Sequence, residues 1–235
     1  SLRQWAISLG VSEDKVKVVS NAVDLEKFHS LDKNHAREIL NLAQDAKVLI
    51  TVGGLVERKG FHRIIDLLPE LRRNYQNLHY LIVGGSSPEG DCGIALRKQV
   101  SSQGLAKYVH FLGPMNQEDL KLPLSAADVF VLSTRNEGWA NVILEAMACG
   151  LPVITTNVGG NSEIVYEDSL GTIVDFDNSV DMCKALNDSL KKKWDSERIQ
   201  SYARDNSWEP KIAILVHELE ALHLAILIKE KNETG

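Results

Sequence analysis

The chain has 235 residues, 44% of them apolar and 25% charged, enough for one large core or one domain with a short extra element. Its formal net charge of −6 excludes nucleic acid as the main partner, because a phosphate backbone needs a basic face. The widely separated Cys92, Cys149 and Cys183 form no C-x-x-C pair, so a disulfide framework and a zinc site are set aside and a reducing, cytoplasmic setting is expected.

In chain order, Ser1-Leu2-Arg3 opens without Met and inside a helical pattern, residues 2–9. No basic-then-apolar leader is visible there, and the expectation is a piece cut from something longer. Strand patterns follow at residues 16–19, Lys47–Val52, 80–83, 109–112, Val129–Leu132, 153–155 and 172–174. Most are continuously apolar rather than alternating, as strands covered on both faces are. Helical patterns occupy residues 61–73, 94–102, 118–126, 141–149 and 180–192, and the chain from Asp177 onward is helical. This alternation predicts an α/β fold, a Rossmann-like doubly wound parallel sheet. Ligands of such sheets bind beyond the carboxyl ends of the strands. The terminal helix, about residues 209–231, is apolar over more than one face between residues 212 and 228. It calls for a cover: another domain, a second chain or a membrane surface. His217, Glu218, Glu220 and His223 interrupt it, so no membrane-spanning helix is expected.

Three strand-to-helix loops are rich in glycine, which permits the close backbone approach that phosphate-cradling turns use. They are Gly53-Gly54-Leu55-Val56-Glu57-Arg58-Lys59-Gly60, Gly84-Gly85-Ser86-Ser87-Pro88 and Gly159-Gly160-Asn161. In the first, Arg58 and Lys59 can pair a diphosphate, arginine as a fork and lysine as a point charge. It is not a Walker loop, since no Ser or Thr follows the lysine. Glu137 and Glu145 stand eight positions apart in Asn136-Glu137-Gly138-Trp139-Ala140-Asn141-Val142-Ile143-Leu144-Glu145. The first lies in a loop at a helix mouth, where backbone N–H groups and the positive dipole end suit a diphosphate. The second lies among apolar neighbours, where a carboxylate calls for hydrogen-bond donors such as ribose hydroxyls. Together they read as half of a nucleotide-sugar pocket. Asp175-Phe176-Asp177 has the spacing of a metal-holding pair but follows a late strand, and no metal is expected. The seven histidines show no ligating spacing.

These pieces resemble, in order over nearly the whole chain, the donor-binding half of a GT-B-fold, retaining glycosyltransferase of the glycosyl transferases group 1 family (family 4). Val18-Val19-Ser20-Asn21-Ala22-Val23-Asp24 is similar to the family's strand and N-G-V-D turn. The loop from Gly53 to Phe61 is similar to G-R-L-x-x-x-K-G-F, with Gly54 where the pattern has arginine. Leu81-Ile82-Val83-Gly84-Gly85, Val109-His110-Phe111-Leu112-Gly113 and Ala127-Asp128-Val129-Phe130-Val131-Leu132-Ser133 resemble further strands. The Glu-x7-Glu segment is the hallmark, and Gly150-Leu151-Pro152-Val153-Ile154 and Gly159-Gly160-Asn161-Ser162-Glu163 close the pattern. The resemblance implies that Arg58 and Lys59 bind the donor diphosphate and stabilise the leaving nucleotide. It gives Glu137 to the transferred sugar and Glu145 to the ribose. Gly54, Gly138 and the backbone of Trp139, Ala140 and Asn141 would face the sugar or its phosphate, with Val142 near the ribose and Met115 in the turn bordering the base. Trp139-Ala140 stands where Phe-Gly is usual, so sugar identity does not carry over. The donor is a substrate, and no cofactor is implied. A GT-B enzyme has two such domains, so the resemblance implies an acceptor-binding domain that this chain lacks, with the complete protein at the inner face of a membrane. Three alternatives stand: the donor domain of a catalytic transferase, a separate nucleotide-sugar-binding subunit, and an epimerase-like or phosphorylase relative. The last lacks a Y-x-x-x-K motif.

Overall fold

The computed structural model describes residues 2–233, and side chains from residue 3 to residue 224. Its elements are α1 (Leu2–Ser8), α2 (Lys33–Ile39), β1 (Lys47–Val52), α3 (Phe61–Asn74), β2 (Leu78–Val83), α4 (Gly93–Ser102), β3 (Val109–Gly113) and α5 (Lys121–Ala126). They continue as β4 (Val129–Leu132), α6 (Asn141–Ala148), β5 (Val153–Thr156), α7 (Asn161–Ile164), β6 (Gly171–Val174), α8 (Ser179–Lys191), α9 (Ser196–Asp205) and α10 (Trp208–Glu233). The six strands form one parallel sheet in the order β3-β2-β1-β4-β5-β6.

The continuous apolar strands have the expected cause. Val48, Ile50 and Val52 of β1 face a core shared with α2, α5, α6 and α9, while Leu49 faces a second core built with α3, α4 and α8. Helices on both faces leave no polar side for alternation. The strand order reverses between β1 and β4, and the loops that follow these two strands flank the reversal. Such a switch point is where doubly wound sheets bind ligands.

Several expectations need correction. Residues 16–19 make no strand: Val16 is extended at φ −120°, ψ 106°, but no ladder forms, and Val18 and Val19 are exposed. The pattern is that of a strand, yet a strand needs a neighbour, and residues 16–19 pair with none of the six strands of the sheet. The helix expected over residues 118–126 begins only at Lys121, after a 3-10 turn at Gln117–Asp119. Unpredicted α2 is started by Asp32, whose carboxylate accepts from the His35 amide at 2.7 Å. The terminal helix is present as α10, anchored by Trp208 N–H to Val23 O at 3.2 Å and by an ion pair from Lys17 to Glu218. Ile212, Leu215, Leu219 and Leu222 on it are exposed, while side chains of residues 225–228 lie outside the described residues. No helix of the described residues is long and apolar enough to cross a membrane.

Candidate functional site

The loops after β1 and β4 meet at the switch point through backbone. Arg135 N–H donates to Arg58 O at 2.8 Å. Gly60 closes the β1 loop with φ +76°, and a Cβ there would sit 1.9 Å from Ser133 O. Only glycine allows both that conformation and that approach. The close crossing puts Arg58 and Lys59, at the mouth of α3, beside the loop that leads into α6.

One carboxylate oxygen organises the result. Glu137 Oε1 accepts from Lys59 Nζ at 2.6 Å, from Arg58 Nη1 at 3.1 Å and from Thr134 Oγ1 at 3.1 Å. The Glu137 side chain is only 9% exposed, so these bonds offset its desolvation. Arg58 also donates to Asn136 O at 3.0 Å, and its other edge holds Glu89 in a two-bond fork, Nε to Oε2 at 2.5 Å and Nη2 to Oε1 at 2.7 Å. Glu89 and Glu137 hold the guanidinium proton more firmly than usual, while Arg58 lowers the Glu89 carboxyl below its ordinary value. Two cations and two carboxylates thus balance at the carboxyl ends of β1 and β4.

Glu145 stands apart. It lies on α6, makes no ion pair among the described residues, and burial pushes its carboxyl up to about 7. No hydrogen bond joins it, Met115 or Val142 to the cationic cluster. Met115 and Val142 pack partly buried against the same core as α6. Gly54 lies against Ser87, Ala140 is buried at the start of α6, which no side chain caps, and Asn141 is exposed. Gly138 O accepts from Gly160 N–H at 3.0 Å, tying the third glycine loop to the segment. Glu137, Gly138 and Trp139 line a cleft of about 740 Å³ that Val18, Val19 and Ile214 also line. Trp139 Nε1 is buried there without a partner.

Thr134 and Glu89 escaped the sequence reading. Thr134, three residues before Glu137, carried a faint signal as a hydroxyl in a binding loop. Glu89 carried none, because only the folded loop after β2 brings it to Arg58. Asp177 adopts φ +65° and lies 3.8 Å from Arg63 Nε, while Arg63 stacks over Phe176 at 4.2 Å. Among the described residues no group of three or more His, Cys, Asp or Glu could hold a metal.

Comparison with known proteins adds to this geometry. Residues 32–206 match the family model described as Glycosyl transferases group 1. Spore coat protein SA of Bacillus subtilis is 31% identical over 212 residues, 82% of this chain and 54% of that protein. D-inositol 3-phosphate glycosyltransferase of Geodermatophilus obscurus is 31% identical over 226 residues, 91% of this chain and 49% of that protein. This chain therefore spans about half the length of these curated relatives. Sucrose-phosphate synthase of Thermosynechococcus elongatus superposes with a TM-score of 0.76 at 25% identity, covering 96% of this chain and 57% of that one. The C-terminal domain of a glycosyl transferase group 1 family protein from Francisella tularensis shares the fold, with a TM-score of 0.65 at 22% identity over 79% of this chain and 94% of that one.

Proposed function

We propose that this chain, which belongs to the glycosyl transferases group 1 family, is the donor-binding domain of a retaining glycosyltransferase with a nucleotide diphosphate sugar as donor. The observation that carries the reading is the Arg58–Lys59–Glu137 cluster at the switch point. Two fixed cations there can take a diphosphate without a metal, and fixed charge is the largest source of stabilisation for a leaving group. Glu137 holds both cations and, in this reading, also accepts from hydroxyls of the transferred sugar. Glu145, short of donors, is suited to the ribose. The backbone of Gly138 to Asn141 and the side chains of Val142 and Met115 complete the pocket in this reading.

In the transfer step, the bond from the sugar to the diphosphate breaks and an acceptor hydroxyl attacks from the same face. Arg58 and Lys59 stabilise the charge that gathers on the departing diphosphate. The acceptor and whatever groups position it would come from an upstream domain, so the complete protein, and not this chain alone, would transfer sugar. The glycosyltransferase among the relatives named above supports sugar transfer, and glycan or glycolipid synthesis is the setting this reading takes. The reading extends to a cytoplasmic protein at the inner face of a membrane, with α10 covered by that domain or surface. The test is turnover in the complete protein. Lys59→Ala and Arg58→Ala should each lower kcat by a factor corresponding to about 2–4 kcal/mol, and near-wild-type turnover would refute the assignment.

A further inference from the structure

The Arg58 fork is already occupied. A guanidinium has five N–H donors, and four of those of Arg58 are already used within the chain, two by Glu89 and one each by Asn136 O and Glu137. The two carboxylates also cancel the charges of Arg58 and Lys59. A dianionic diphosphate would meet a cluster of no net charge, with one donor of the Arg58 fork to spare, which is poor anion chemistry. One carboxylate has to yield.

The structure says which. The Glu137 side chain is 9% exposed and held by three donors, whereas the Glu89 side chain is 53% exposed and holds only Arg58. Glu89 can return to water at little cost, and Glu137 cannot. The loop carrying Glu89 is built for a small movement. It is tied at both ends, by Leu55 N–H to Gly85 O at 2.8 Å and Cys92 N–H to Leu55 O at 2.7 Å. Between them Ser87 and Gly90 exchange backbone hydrogen bonds at 3.0 and 2.9 Å, leaving Pro88 and Glu89 at the tip. Gly54 makes the seat for that tip: a Cβ at position 54 would come within 3.1 Å of Ser87 Cβ.

We infer that Glu89 is a resident competitor for the diphosphate on Arg58, released to solvent as the donor enters. The inference rests on the donor-site reading above and adds a residue that sets affinity and selectivity for it. With Glu89 gone, Arg58 and Lys59 face Glu137 with one net positive charge, and the fork of Arg58 is open to two phosphate oxygens. A ligand that leaves Arg58 untouched has no reason to respond to Glu89.

The test is a double-mutant cycle read by calorimetry with inorganic pyrophosphate, UDP and GDP at fixed ionic strength. Glu89→Gln keeps the size of the side chain, and its exposed position leaves folding intact, which the melting temperature checks. Glu89→Gln should tighten binding about three- to tenfold in the wild-type background and change nothing in the Arg58→Ala background. A general effect of removing one negative charge would persist in that second background and would overturn the inference. So would an affinity unchanged or weakened by Glu89→Gln while the wild type binds. Failure of wild type and Glu89→Gln alike to bind any of the three would overturn the donor-site reading, and this inference with it. Binding by Glu89→Gln alone would support both.

Discussion

Three donors converge on Glu137 Oε1, and the two that are cations are the ones a diphosphate would use. Replacing Lys59 removes a charge-assisted contact worth about 1.5–3 kcal/mol. Lys59→Ala should therefore weaken nucleoside diphosphate binding about 10- to 100-fold by calorimetry, with the loss concentrated in the phosphate and absent for the bare nucleoside. Glu145 gives a pH signature. Burial raises its carboxyl to about 7 from an ordinary value near 4.5, so the folded chain binds this proton more tightly than the unfolded chain does. The stability that the proton supplies is complete below about 4.5 and fades as pH rises through about 7. Glu145→Gln should thus gain in melting temperature over the wild type as pH increases across that window. If Glu145 takes the ribose, as proposed, donor binding should run the other way, since ribose hydroxyls would favour the ionised carboxylate. Affinity in the wild type should rise with pH through about 7 with release of a proton, and Glu145→Gln should show no such rise. Glu145 stands out in the sequence as an acid among apolar neighbours, and the structure accordingly largely buries it on α6. The ties of Glu137 to Thr134 and of Arg58 to Glu89 were not legible there, because each depends on how separate loops cross.

At the level of elements, the parallel sheet was readable because strands buried on both faces lose their alternation, as Leu49 and Ile50 show by serving opposite cores. Short α2 was not, since its seven residues rest on the Asp32 cap and tertiary packing more than on periodicity. Residues 16–19 show the converse: an apolar pattern proposes a strand, but only a neighbouring strand makes one. The crossing of the β1 and β4 loops makes a sharper demand. Gly60→Ala would force a side chain into φ +76° and a Cβ to within 1.9 Å of Ser133 O. It should cost about 2 kcal/mol or more in stability by chemical denaturation and displace Arg58 and Lys59, so that diphosphate binding falls with it. Retention of both stability and binding would mean that the two loops are not held by this contact.

For the whole molecule, the described surface is uneven. Val18, Val19 and Ile214 of α10, all exposed, line the same cleft as Glu137 and Trp139, and further apolar residues of α10, among them Ile212, Leu215 and Leu219, are exposed as well. On the proposed function this apolar surface would be covered by an acceptor-binding domain, and the chain alone would bind donor without transferring sugar. Joining it to an acceptor-binding domain of the kind this proposal calls for should give transfer and protect α10 from hydrogen exchange, whereas robust transfer by the chain alone would contradict the division of labour. The central claim, that Arg58 and Lys59 form a diphosphate site, is tested most directly by calorimetric titration of the chain and of Lys59→Ala with UDP, GDP and ADP. The account predicts binding of at least one of them by the wild type and its loss in the variant. Equal affinity in both, or none in either, would contradict it.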